Sequence, residues 1–144
     1  MRFLDANVFI YAYYKPKRGL SQQERVMKEL AKGIVSEVNR GREEVMTTVV
    51  HVSEIVNILK KGLSLEDLHE TVMGLFMLDN VTVFGVSGGE YFAAIELGSE
   101  YRLDPNDALA IQFMKTHSLT EIYSFDKDFE RVEGISRLPE ISIY

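Results

Sequence analysis

Apolar residues recur along this chain with two periods, two and about 3.6 residues, and each change of period marks a new element. Phe3 and Leu4, after Arg2, read as a short buried strand that runs into Asp5. Asn7 is of a type that caps helices, and residues 8–14 are an apolar run suited to a first helix. Lys15-Pro16-Lys17-Arg18-Gly19 then breaks the pattern with Pro, Gly and three cations. Residues 21–40 predict a second helix: Ser21 and Glu24 have capping-box spacing, Val26, Leu30, Ile34 and Val38 recur every four residues, and Gly41 ends it. Residues 44–49 hold a β-branched run suited to a buried strand. Residues 50–61 follow as a helix with an apolar face of Val52, Ile55, Val56 and Leu59, and Gly62 in the C-terminal cap position. Ser64 opens a further helix that is expected to turn Leu65, Leu68, Val72 and Leu75 toward the core.

Residues 81–86 read as a strand, and Ser87 with Glu90 repeats the capping box for a helix to about Tyr101. Asp104-Pro105-Asn106-Asp107 starts another, with Asp at N-cap, Pro at N1 and Asp at N3. That helix is apolar almost all round to about His117, which predicts burial. Residues 121–125 read as a strand, 126–132 as a turn or short helix, and 141–144 as a last strand. Strands alternating with helices imply right-handed crossovers and helices on both faces of the sheet. The expectation is one α/β domain over residues 1–144, a three-layer α/β/α sandwich on a central, mainly parallel sheet.

Composition narrows the chemistry only a little. With 46% apolar and 26% charged residues this is an ordinary globular chain. No apolar run approaches the roughly twenty residues that span a bilayer. No basic and apolar leader opens the chain, so a cytoplasmic protein with no membrane partner is the simplest expectation. The absence of Cys removes disulfides, thiolate zinc sites and thiol nucleophiles. A formal charge of −6 counts against a broad basic footprint for nucleic acid, but not against carboxylates that hold cations which in turn meet phosphates.

The acids carry the candidate chemistry. Asp5 ends the first strand, where an Asx-turn and a ligand crevice are both reasonable readings. Glu54 sits in an apolar row of its helix between Val50 and Ile58, a costly place for a charge without a partner. Asp107 can serve as an N3 residue that satisfies orphan amides, but Asp104 already caps that helix and Asp107 lies in line with Ala110, Ile111 and Met114. Asp126 ends the strand Ile122-Tyr123-Ser124-Phe125, the same position as Asp5, with Asp128 two residues on. Taken together, these acids can converge over one crevice. Like charges held so close repel and raise one another's pKa unless cations intervene, and oxygen-only ligands suit Mg²⁺ or Mn²⁺. Two such ions can activate water and stabilise the leaving oxygen of a phosphodiester. His51 lies one turn before Glu54 and is expected on the helix surface, as are His69 and His117. No Ser-His-acid order or glycine-rich phosphate loop is present.

At these residues the sequence resembles the PIN-domain family, and within it the VapC-like toxin ribonucleases. The matching stretches are Phe3-Leu4-Asp5-Ala6-Asn7-Val8-Phe9-Ile10, Val52-Ser53-Glu54-Ile55, Asp104-Pro105-Asn106-Asp107-Ala108-Leu109-Ala110 and Tyr123-Ser124-Phe125-Asp126-Lys127-Asp128-Phe129. The resemblance implies an endoribonuclease dependent on one or two Mg²⁺ or Mn²⁺ ions, with Asp5, Glu54, Asp107 and Asp126 as catalytic metal ligands. Asp128 competes for the fourth place, and Asn7 and Ser124 are expected to hydrogen-bond behind the acids. It also implies a homodimer and, for a toxin, a small antitoxin protein. Lys15, Lys17 and Arg18, beside Tyr11, Tyr13 and Tyr14, are candidate contacts to single-stranded RNA, or else only a solvated loop.

Two other readings compete. A PIN-like module could act in RNA processing or assembly through protein contacts alone, but that role does not need four acids. A phosphatase of the haloacid-dehalogenase type also places Asp after its first strand, but it wants Asp-x-Asp where this chain has Asp5-Ala6-Asn7.

Overall fold

The computed structural model describes residues 1–13 and 18–141. Its centre is a five-stranded, all-parallel sheet in the order Val81–Phe84, Val45–Thr48, Arg2–Leu4, Glu121–Tyr123, Ser136–Leu138. The strands are β1 Arg2–Leu4, β2 Val45–Thr48, β3 Val81–Phe84, β4 Glu121–Tyr123 and β5 Ser136–Leu138. The helices are α1 Ala6–Tyr13, α2 Gln22–Asn39, α3 Val49–Leu59, α4 Leu65–Met77, α5 Gly88–Tyr101 and α6 Pro105–Thr116, and a 3₁₀ helix covers Lys127–Arg131.

Side-chain alternation along the strands builds two cores. Leu4, Val45 and Tyr123 face one side and pack with α1 to α4, whereas Phe3, Met46 and Ile122 face the other and pack with α5, α6 and the 3₁₀ residue Phe129. The chain is therefore the three-layer α/β/α sandwich expected from its pattern. From β1 it moves outward to β2 and β3 with helices on the first face, then returns across β1 to β4 with α5 and α6 on the second. This reversal, with a constant crossover hand, opens a crevice at the carboxyl ends of β1 and β4, where open α/β sheets bind ligands.

Local signals set the helix ends. Both capping boxes form, Ser21 with Glu24 and Ser87 with Glu90. Gly41, just past α2, has φ 75°, a conformation glycine adopts without steric cost. Gly98 of α5 lies so near α6 that a Cβ there would be 2.7 Å from the Leu103 carbonyl oxygen and 3.2 Å from the Ala108 Cβ.

Expectations for three elements are not met among the described residues. Leu65 does not reach the core: it is the first residue of α4, 69% exposed, while Leu68 and Leu75 are buried. The last strand among the described residues is Ser136–Leu138, which pairs with β4; Ile141 lies outside any strand, and the rest of the expected strand, residues 142–144, lies outside the described residues. Asn7 is not a cap, because α1 already starts at Ala6.

Candidate metal centre

The ends of β1 and β4 position the first acids. Asp5 directly follows β1 and is 5% exposed. The Ser124 hydroxyl, just beyond β4, donates to Asp5 Oδ2 at 2.7 Å and accepts the Asp126 N–H at 3.0 Å. One hydroxyl thus ties together the two strand ends that carry Asp5 and Asp126. Asn7 reinforces this joint: its Oδ1 accepts the Phe125 N–H at 3.2 Å, so the residue staples α1 to the turn after β4.

The helices supply the other acids. Asp104 caps α6 by accepting the Asp107 N–H at 2.9 Å, which leaves the Asp107 carboxylate free to turn inward, where the residue is buried. Asp126 caps the 3₁₀ helix, taking the Asp128 N–H at 2.9 Å. One carboxylate oxygen from each of Asp107, Asp126 and Asp128 lies within 4.8 Å of the others. Asp126 and Asp128 therefore both stand at the fourth corner, although the Asp128 side chain is 50% exposed and also pairs with Arg131 at 3.1 Å. Among the described residues, no basic side chain makes an ion pair with Asp5, Glu54, Asp107 or Asp126.

The electrostatics follow from this crowding. Burial pushes the Asp5 carboxyl up to about 7; hydrogen bonds from Ser124 and the Ala6 N–H oppose the rise, and the nearby charges of Glu54 and Asp126 add to it. Burial, then the charges of Asp5, Asp104 and Asp126, raise Asp107 as well. Such upward pressure is what buried carboxylates crowded together without a basic partner should feel. The donor set is all oxygen and anionic, and so fits a hard divalent cation.

Glu54, on α3, lies near enough to Asp5 for its charge to raise that carboxyl, but it is not one of the three acids whose oxygens lie within 4.8 Å of one another. Its Oε1 accepts from Asn106 Nδ2 at 3.0 Å. Burial raises its carboxyl, with the Asn106 bond acting in the opposite direction. Asn106 Oδ1 accepts the Tyr91 hydroxyl of α5. His51, expected on the surface, is instead fully buried, with its ring edge-on to Phe3. Its Nε2 lies 3.0 Å from the Asn106 carbonyl oxygen and its Nδ1 2.7 Å from Thr48 Oγ1. A carbonyl can only accept, so Nε2 carries the proton and Nδ1 accepts from Thr48. Burial lowers the ring pKa to about 4, which keeps this neutral form. Sequence reasoning missed Asn106 and Tyr91, which meet only when α5 and α6 pack together. The Thr48–His51 spacing, an N-cap with its N3 residue, was the one legible sign that His51 turns back toward its own strand.

Of the candidate RNA contacts, Lys15 and Lys17 lie outside the described residues, as does Tyr14. Arg18 is exposed and pairs with Glu24 at 2.8 Å. An open cavity of about 540 Å³ adjoins the cluster, lined by Asn7, Ile10, Tyr11, Phe125, Asp126 and Lys127.

Comparison with known proteins agrees with this fold. The PIN domain model matches residues 2–135. Ribonuclease VapC6 of Methanocaldococcus jannaschii is 28% identical over 87 residues, 57% of either chain, so the match spans little more than half of that relative. The crystal structure of VapC20 of Mycobacterium tuberculosis, a sarcin-ricin loop cleaving toxin, aligns with TM-score 0.65 and 18% identity over 90% of this chain and 93% of that one. A toxin-antitoxin complex from Klebsiella pneumoniae aligns equally well, with TM-score 0.65 and 18% identity, over 94% and 96%. The family match spans nearly the whole chain and includes every acid of the crevice, so the chain belongs to the PIN domain family.

Proposed function

We propose that this protein is a divalent-metal-dependent endoribonuclease, and the toxin of a toxin–antitoxin pair. The observation that carries this reading is the convergence of carboxylates at the β1/β4 crevice of a PIN-family chain: Asp5 and Asp107 are buried there, and one oxygen each of Asp107, Asp126 and Asp128 lies within 4.8 Å of the others. Asp5, Asp107 and Asp126 would hold Mg²⁺ or Mn²⁺, Glu54 would complete the set, and Asp128 could join from the rim. When bound, such an ion supplies an activated water and charge stabilisation at a phosphodiester. The chain's own residues do the rest. Ser124 fixes the rotamer of Asp5 and the backbone of Asp126 at once, and Asp104 holds the first turn of α6 so that Asp107 faces inward. Lys127, which lines the cavity beside Asp126, would meet a phosphate of bound RNA.

Partners follow from the same reading. A homodimer and a small antitoxin protein are proposed to cover the apolar side chains that α4 and α5 leave exposed: Met73, Phe76 and Met77 on α4, and Phe92 and Ile95 on α5. Exposed apolar clusters of this kind mark interaction surfaces, and a similar fold occurs in a toxin-antitoxin complex.

The test is incubation of the protein with several single-stranded RNAs and Mn²⁺, beside chelator and an Asp5→Asn control. Cleavage by the wild type alone, abolished by chelator, is expected. Equal cutting by both proteins, or by neither, would overturn the reading.

A further inference from the structure

Glu54 does not stand freely among the acids. Its Oε1 is held by the Asn106 amide at 3.0 Å, and its Oε2 has no hydrogen-bond partner among the described residues. That amide is committed at both ends, because Tyr91 donates its hydroxyl to Oδ1. A phenol hydroxyl donates readily to a carbonyl oxygen, whereas the amide NH₂ can only donate. The acceptor-only Glu54 carboxylate and the donating Tyr91 hydroxyl together fix which way the amide faces, with its NH₂ turned on Glu54. In the reverse orientation, two acceptor oxygens would confront each other. The Asn106 backbone is held in turn by the buried His51, whose Nε2–H donates to its carbonyl. Three helices meet here: α3 with His51 and Glu54, α5 with Tyr91, and α6 with Asn106. An Asn at the second position of a helix has no local need to reach across two neighbours, because Asp104 already caps α6.

We propose that Asn106, oriented by Tyr91 and anchored by His51, is a positioning residue that fixes the Glu54 carboxylate with one oxygen restrained and the other presented to a divalent cation. The proposal rests on the metal-dependent reading above. Hydrogen bonds behind a ligating group orient it and tune its basicity, and their removal typically costs roughly 10–100-fold in metal affinity or activity. Asn106 acts through Glu54 and touches neither cation nor RNA.

The experiment is a calorimetric Mn²⁺ titration of wild type, Asn106→Ala and Tyr91→Phe, each with native Glu54 and with Glu54→Gln, with far-UV circular dichroism as a check of folding. Tyr91→Phe keeps the ring and removes only the hydroxyl, so it remains informative if Asn106→Ala folds poorly. With Glu54 present, Asn106→Ala should weaken Mn²⁺ binding about tenfold and Tyr91→Phe by a smaller factor. In the Glu54→Gln background both effects should vanish, since the coupling is specific to the pair. RNA cleavage by the same variants should show kcat reduced with KM nearly unchanged. Unchanged Mn²⁺ affinity in folded Asn106→Ala and Tyr91→Phe, or equal losses in both backgrounds, would overturn the proposal even if the wild type cuts RNA. A wild type that binds Mn²⁺ but leaves RNA intact would instead remove the nuclease reading, with the binding cycle still deciding the role of Asn106.

Discussion

At the scale of single residues, the fold favours the neutral forms of three acids of the site, Asp5, Glu54 and Asp107. Asp5 has its carboxyl raised from an ordinary 3.8 to about 7, chiefly by burial. A raised carboxyl pKa means that the folded state binds the proton more tightly than the unfolded one. The stabilisation is full below about pH 4 and is lost as pH climbs to about 7. In chelator, the melting temperature should therefore fall between mildly acidic and neutral pH, and Asp5→Asn should flatten that fall. With Mn²⁺ present the sign reverses, because protons compete with the ion: affinity should rise with pH through about 7. Ser124→Ala removes the donor to Asp5 and the acceptor of the Asp126 N–H. It should cost on the order of 1–3 kcal/mol in denaturant melts, since it leaves buried polar groups unpaired. The four acids stood out in the sequence as candidates together rather than singly: two follow strands, one sits on an apolar helical row and one lies in line with the buried row of its helix. His51 and Asn106 did not stand out in this way, and their roles exist only across packed helices.

At the scale of elements, capping and close approach decide where the acids point. Asp104→Ala should cost about 1 kcal/mol of stability and should lower activity further, because the first turn of α6 carries both Asn106 and Asp107. Gly98→Ala should destabilise by roughly 1–3 kcal/mol, as overpacking does, since its methyl would meet the Leu103 carbonyl and the Ala108 methyl where α5 crosses α6. A thermal melt compared with Ala93→Ser, an exposed position on α5, checks that the loss belongs to that contact. Elements with caps and long periods were readable: both capping boxes form where Ser and Glu stand three apart. β5 was not, because Ser136-Arg137-Leu138 has neither alternation nor a β-branched run. It becomes a strand through its ladder with β4, a tertiary cause. Leu65 failed for a related reason: a four-residue spacing cannot tell whether the first turn of a helix has reached the core or still overhangs it.

At the scale of the whole molecule, the order of strands joins these pieces. β1 and β4 are distant in sequence but adjacent in the sheet, and the reversal between them brings Asp5 and Asp126 to one crevice. That adjacency could be expected from alternating strands and helices, but the exact partners of β1 could not be read from periodicity. A ligand that binds only the folded chain stabilises it by mass action, about 2.7 kcal/mol at a hundredfold excess over Kd. Mn²⁺ should thus raise the melting temperature more than Na⁺ at equal ionic strength. The measurement that bears most directly on the central claim is a calorimetric titration of Mn²⁺ into wild type and Asp107→Asn at neutral pH. Saturable binding by the wild type, weakened at least tenfold by Asp107→Asn, is the predicted result; identical curves for the two proteins, or none for the wild type, would contradict it.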